Sequence, residues 1–179
     1  MSVVELKYLF AIDPGTTESA YVIIDVRDGE IISKGKLFND ILLGFIELWD
    51  KPDTHLCIEM IASYGMAVGK TVFETCVFIG RILELWNHKD FCNYPLLPKR
   101  MYRRDVKINL CGSMKAKDSN IRQAIIDRYP ATGGGKLPQV GIKSAPGPLF
   151  GVSKDIWAAL GVGLTFLDAA SGRFELTEI

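Results

Sequence analysis

Apolar residues fall in short blocks along the chain. Residues 8–12 (Tyr-Leu-Phe-Ala-Ile) are a run of strand-type side chains stopped by Asp13-Pro14-Gly15. Residues 20–26 form a second run, and Asp28-Gly29 predicts a two-residue hairpin turn into a third strand over 30–37. Three strands in succession predict an antiparallel meander. Asn39 predicts a cap for a helix over 40–49, with Ile41, Leu42, Phe45, Ile46 and Trp49 on one face. Residues 54–60 read as a buried strand, apolar except near its end, where Glu59 sits. A long amphipathic helix is predicted over 69–86 and a fifth strand over 93–97.

Two short helices follow, over 102–110 and 118–129, separated by Cys111-Gly112. The Gly- and Pro-rich stretch 131–148 predicts a mobile loop. A last helix runs to about residue 170, with Ser153 as its expected N-cap. Three strands, a helix, a strand, a helix, a strand and then helices is the order of a ribonuclease H-like fold. The expectation is one α/β domain over 1–179, a mixed five-stranded sheet flanked by helices.

Composition narrows the class. The chain has 179 residues, 48% of them hydrophobic and 23% charged, which excludes a disordered or collagen-like polymer. The longest apolar run, 156–167, is too short for a membrane span. Residues 1–5 lack the basic-then-apolar plan of a signal peptide, so a cytoplasmic protein is expected. Cys57, Cys76, Cys92 and Cys111 form no C-x-x-C pair and sit among apolar residues, as reduced thiols do. The 21 basic and 21 acidic residues cancel, but not locally. Residues 99–143 hold 11 Lys/Arg against 3 Asp/Glu, a balance of +8, leaving −8 for the rest. Such a segment is either a solvated helical surface or a face that meets an anion such as nucleic acid.

Three acids are candidates for chemistry. Asp13 ends the first strand, where ligands bind open α/β sheets, though an Asp before Pro-Gly is also explained by the turn itself. Glu59 has apolar residues on both sides in His55-Leu-Cys-Ile-Glu-Met-Ile61, and a buried carboxylate needs a cation or a basic partner. Asp155, at the start of the last helix, suits the helix dipole. In the predicted fold, strands one and four are neighbours and the last helix starts beside them, so the three converge. A cluster of carboxylates repels itself unless cations occupy it, and hard oxygen ligands select Mg²⁺ or Mn²⁺.

These segments together resemble RuvC-type Holliday junction resolvases. Ala11-Ile-Asp-Pro-Gly15 is similar to their opening motif and His55-Leu-Cys-Ile-Glu-Met60 to their second acidic strand. Arg104-Asp-Val-Lys-Ile-Asn-Leu-Cys-Gly112, with Lys115-Ala-Lys-Asp118 and residues 121–128, resembles their basic helical region. Asp155-Ile-Trp-Ala-Ala-Leu160 resembles their acidic last helix, and 58–81 looks most like the divergent resolvases of phages and prophages. The resemblance implies a homodimeric, Mg²⁺-dependent endonuclease that cuts four-way junctions or other branched DNA, in a bacterial cell or phage-infected host. Asp13, Glu59 and Asp155 would be its metal-binding and catalytic acids. Lys107, Lys115 and Lys117, then Arg103, Arg104 and Lys70, are the candidate DNA contacts, with Tyr64 as a base-stacking aromatic. The family carries two acids three residues apart on its last helix. Here Asp155 takes the first position, but Ala158 stands at the second. Glu18 is a candidate substitute, whereas Asp168, 13 residues beyond Asp155, lies about 20 Å along a helix.

Two other readings stay open. Asp13-Pro-Gly-Thr-Thr17 also resembles the phosphate loop of the actin and sugar-kinase superfamily, which would make the chain a single nucleotide-binding lobe. A catalytically inactive protein that binds branched DNA also fits the missing acid. Gly65-Met-Ala-Val-Gly-Lys-Thr71 is one residue short of a P-loop. His55 is expected as a core or edge residue rather than a ligand.

Overall fold

The fold is that of a computed structural model, which describes residues 6–63, 65, 67–89 and 97–176. Strands β1 (Tyr8–Asp13), β2 (Glu18–Asp25) and β3 (Ile31–Phe38) form the meander, followed by helix α1 (Asn39–Leu48). Strand β4 (Thr54–Met60) leads to α2 (Lys70–Asn87) and β5 (Lys99–Tyr102). Helices α3 (Arg103–Cys111) and α4 (Asp118–Arg128), a small hairpin of β6 (Gly141–Ile142) and β7 (Ala145–Pro146), and α5 (Ile156–Ala170) complete the order. The main sheet has five strands in the order β3-β2-β1-β4-β5. The meander is antiparallel, and β4 pairs parallel with both β1 and β5. This is the mixed sheet flanked by helices that the sequence predicts.

Each face of the sheet has its own core. Leu9, Ala11, Val22, Ile24 and Cys57 pack against Val106 of α3, Ile121 and Ile125 of α4 and Leu160 of α5. Phe10, Ile12, Ile23, Leu56 and Ile58 point the other way, against Leu42 and Ile46 of α1 and Phe78, Ile79 and Ile82 of α2. Burial on both faces explains why β1 and β4 read as continuous apolar runs rather than as alternation. Cys57, Cys76 and Cys111 are free thiols; Cys92 lies outside the described residues.

Five local expectations are corrected. The fifth strand is Lys99–Tyr102; of the predicted 93–97 segment, 93–96 lie outside the described residues and Leu97 is exposed and not in a strand. Strand β5 is short and polar, with Met101 its one fully buried side chain, so no apolar run announces it. Ile41 is 56% exposed, because α1 turns only Leu42 and Ile46 fully inward. Asn39 does not cap α1: its side chain accepts from Ser19 Oγ and donates to the carbonyls of Gly15 and Thr16. Ser153 makes no side-chain cap, and the N-cap position of α5 is Asp155. The 131–148 segment is tied by backbone hydrogen bonds, Gly133 N–H to Pro138 O (2.9 Å) and Gly134 N–H to Ala145 O (2.8 Å) among them. Its glycines permit close backbone crossings: a Cβ on Gly147 would stand 2.2 Å from Pro138 O.

Helix α5 packs tightly on the sheet through Gly163, where a Cβ would meet Ala11 Cβ and Ile24 Cδ1, each at 3.1 Å. Replacing Gly163 with Leu should therefore overpack this contact and lower stability by about 1–3 kcal/mol. Urea unfolding measures this, and an unchanged midpoint would show that the helix is free to shift.

Candidate functional site

Strand register builds one row of side chains across the sheet. Asp13 lies opposite Ala20, and Ala20 opposite Lys36. Ile12 lies beside Ile58, which brings Asp13 next to Glu59, and Glu59 lies beside Met101. Ala11, Ala20, Cys57 and Met101 all face α5, and side chains alternate along a strand, so Asp13 and Glu59 project on that face too. They emerge at the carboxyl ends of β1 and β4, where α5 begins.

The turn after β1 fixes the direction of Asp13. Gly15 N–H donates to Ser19 Oγ (3.0 Å), and Ser19 Oγ donates to Asn39 Oδ1 (2.8 Å). Gly15 is required there, since a Cβ would lie 2.3 Å from Glu18 O. Asp13, Pro14, Glu59, Met60, Ile61, Ala62 and Arg103 line a cleft of about 230 Å³.

The electrostatics of the pair are unusual. Burial raises the Glu59 carboxyl well above the ordinary carboxylate range, and the neighbouring Asp13, within hydrogen-bonding reach, raises it further. Asp13 is also raised, first by burial and then, among the charges, by Asp155, while Arg103 and Lys36 pull it back. Two like charges in a desolvated site cannot both form without a nearby cation. Both carboxyls are thereby shifted toward losing their protons at higher pH than ordinary carboxyls do.

The site carries cations of its own. Arg103 Nη1 lies 3.6 Å from Glu59 Oε2, and the same guanidinium donates to Asp118 at the start of α4. Asp155 is half-exposed and accepts from Lys36 Nζ at 2.8 Å; Lys36 also lies 3.5 Å from Glu18 Oε2. Among the described residues, no three His, Cys, Asp or Glu side chains stand close enough together to hold one metal ion. Asp13 and Glu59 are brought together, and Asp155 stands near them but faces Lys36.

The remaining candidates divide by exposure. Lys115 and Lys117 are exposed between α3 and α4, while Lys107 and Arg104 are half-buried on α3. Arg104 Nε is buried without a hydrogen-bond partner. Lys70 is exposed at the start of α2 and pairs with Glu74 at 3.3 Å. Tyr64 lies outside the described residues. Arg103, a candidate DNA contact, lies between Glu59 and Asp118. His55 stacks on Phe166 (4.5 Å between centroids), and burial lowers its pKa to about 4, as befits a core residue.

Sequence reasoning missed Lys36. A two-residue turn at Asp28-Gly29 would have set Leu37 opposite Ala20; the connection instead spans residues 26–30 and the register shifts at Ile23/Ile24, which puts Lys36 opposite Ala20 and in the row of Asp13. A larger cleft of about 810 Å³ lies at the far end of α5. There the buried Asp168 accepts from Asn109 Nδ2 (2.7 Å) and Arg128 Nη1 (2.6 Å). That network joins α3, α4 and α5 and is remote from the acidic row.

No family model matches the chain, and no curated protein matches it in sequence. Solved structures do. The structure of Thermus thermophilus RuvC matches with a TM-score of 0.60 at 14% identity, over 95% of this chain and 99% of that one. T. thermophilus RuvC in complex with Holliday junction substrate matches with a TM-score of 0.55, also at 14% identity and over the same shares of both chains. At this identity the likeness is one of fold. The chain thus has the mixed five-stranded, ribonuclease H-like architecture expected from its element order.

A carboxyl whose folded pKa is raised stabilises the fold below its unfolded pKa, and that contribution is lost as pH rises through the folded value. The protein in EDTA should therefore melt at a lower temperature at about pH 8 than at about pH 5.5. Glu59→Gln should raise the melting temperature at the higher pH and flatten the profile. Scanning calorimetry measures both, and a melting temperature that climbs with pH contradicts the assignment.

Proposed function

We propose that this chain is a divalent-metal-dependent endonuclease that cuts four-way junctions or other branched DNA. The observation that carries the reading is the buried Asp13–Glu59 pair at the ends of two parallel central strands, on a fold that a junction-bound structure shares over nearly its whole length.

The donor set fits a hard cation. Asp13 and Glu59 offer oxygen ligands only, and a positive ion would remove the cost of ionising both. Mg²⁺ suits such a site because it binds through one or two carboxylates, keeps several waters and takes substrate phosphate as a further ligand. Mn²⁺ is the expected substitute. Asp155 stands at the rim as a third acid. When bound, such an ion lowers the pKa of a coordinated water and stabilises negative charge on the phosphate during its displacement.

The chain's own residues supply the rest. Strand β5 lies beside β4, so the basic segment starts within two residues of the row that holds Glu59. Phosphates held by Lys107, Lys115 and Lys117 would lie on the same side as the carboxylates. Arg104 and Lys70 are further contacts, and Arg103 holds Glu59 in place.

No described helix is long and apolar enough to cross a membrane. Helix α2 leaves Phe73 and Val77 61% and 66% exposed, near the exposed Phe38. We take this apolar face as the seat of a second copy, which would give a homodimer with a site for each strand. A second reading, branched-DNA binding without cutting, draws on the Lys36–Asp155 ion pair and on Ala158 in place of an acid.

The test is incubation of labelled four-way, flap and linear duplex DNA with and without Mg²⁺. Cutting of the branched substrates only with Mg²⁺ is expected. Asp13→Asn should bind the junction as the natural chain does and cut at least about 10²-fold more slowly. Binding without cutting under any metal would select the second reading, and equal affinity for linear duplex would defeat both.

Charge reversal at Lys115 and Lys117 should weaken junction binding and lower the slope of log K against log salt by about 2. Fluorescence anisotropy across a salt series measures it. An unchanged slope would place these lysines off the phosphate path.

A further inference from the structure

Lys36 occupies a defined place in the acidic row. It is two strands away from Asp13, with only Ala20 between them, and Ala20 is too small to screen one from the other. The ammonium reaches across that gap. Nζ lies 2.8 Å from Asp155 Oδ2 and 3.5 Å from Glu18 Oε2, and its charge also lowers the pKa of Asp13. Three acids of the site thus share one fixed positive charge. One helical turn into α5, where a further acid would face the same space, the chain has Ala158.

From this geometry we infer that Lys36 stands in the position a second divalent ion would otherwise take, so that the site binds a single ion, on Asp13 and Glu59. The inference rests on the nuclease reading above and refines it. Around the Asp13–Glu59 pair stand three further acids, Asp155 and Glu18 against Lys36 and Asp118 against Arg103, none of which completes a three-ligand cluster with the pair. Lys36 and Arg103 offset two of these charges. With every carboxyl ionised, one divalent ion leaves these seven groups at −1 and two leave them at +1. A second ion would also have to displace the ammonium from Asp155, losing a charge-assisted hydrogen bond. An ammonium has three donors, and the two carboxylates use two of them. The third is left for a phosphate oxygen.

Counting bound ions tests the assignment without reference to activity. Mn²⁺ titration of the full chain, read by electron paramagnetic resonance, should give one bound ion per chain, and Asp13→Asn should lose it. Lys36→Gln frees Asp155 and Glu18 and should raise the count to two, with Lys34→Gln on the same strand leaving it at one. Circular dichroism checks that each variant is folded. Two ions in the natural chain, or one ion in both it and Lys36→Gln, would overturn the assignment of Lys36 while leaving a metal-dependent nuclease standing; an ion retained in Asp13→Asn would overturn the placement of the ion on Asp13 and Glu59. No ion bound by any of them would overturn the nuclease reading and this inference with it.

Discussion

Two carboxyl groups removed from water and set side by side are the constraint around which the rest of this structure is arranged. Neither Asp13 nor Glu59 stabilises the fold by its position. Burial raises both above the ordinary carboxylate range, and Asp13 raises Glu59 further. A core that tolerates this needs a rigid frame, and the frame is visible. The central strands are packed on both faces, the turn after Asp13 is locked by Gly15, Ser19 and Asn39, and Arg103 is drawn in against Glu59. Strain of this kind concentrates at functional sites, and here it is electrostatic rather than conformational.

The row from Lys36 to Met101 shows how topology sets chemistry. Five strands contribute one residue each: a cation, a small spacer, two acids and a buried methionine. Parallel pairing of β1 with β4 brings the two acids out at the same end. Antiparallel pairing of β2 and β3 returns the chain so that Lys36 enters the same row. A one-residue slip in either register would send one of these side chains to the opposite face, against α1 and α2.

How much of this was legible depended on the range of the interaction. The continuous runs of β1 and β4 marked buried central strands, and Glu59 stood out as a single charge between apolar neighbours. The break at Gly112, with φ +65, ended α3 where the sequence placed it. What depended on distant partners was not legible. Asn39 has the composition of a helix cap, yet Ser19 and the Gly15 turn claim its side chain. Strand β5 has almost no apolar signature, because it is an edge strand held by β4. The 131–148 segment reads as loose from its glycines, but those same glycines let its backbone cross itself and close a small hairpin. Lys36 carried no local signal at all, and only the register of the hairpin identifies it.

The opposite charges of the two parts of the chain follow from the same arrangement. A segment with +8 balance beside a remainder with −8 would be costly if the two were interspersed at random, because DNA attracted to one would be repelled by the other. The two parts meet at Arg103 against Glu59, in the acidic row, and at Arg128 against the buried Asp168, remote from it. Lys36 and Arg103 sit inside the acidic group, while Lys115 and Lys117 stay exposed on the adjoining surface. The internal cations mute the repulsion a phosphate would meet at the carboxylates, and the exposed ones attract it from solution. On the proposed reading, the division of the basic residues into these two groups is what lets a chain of zero net charge bring a polyanion to its most acidic site.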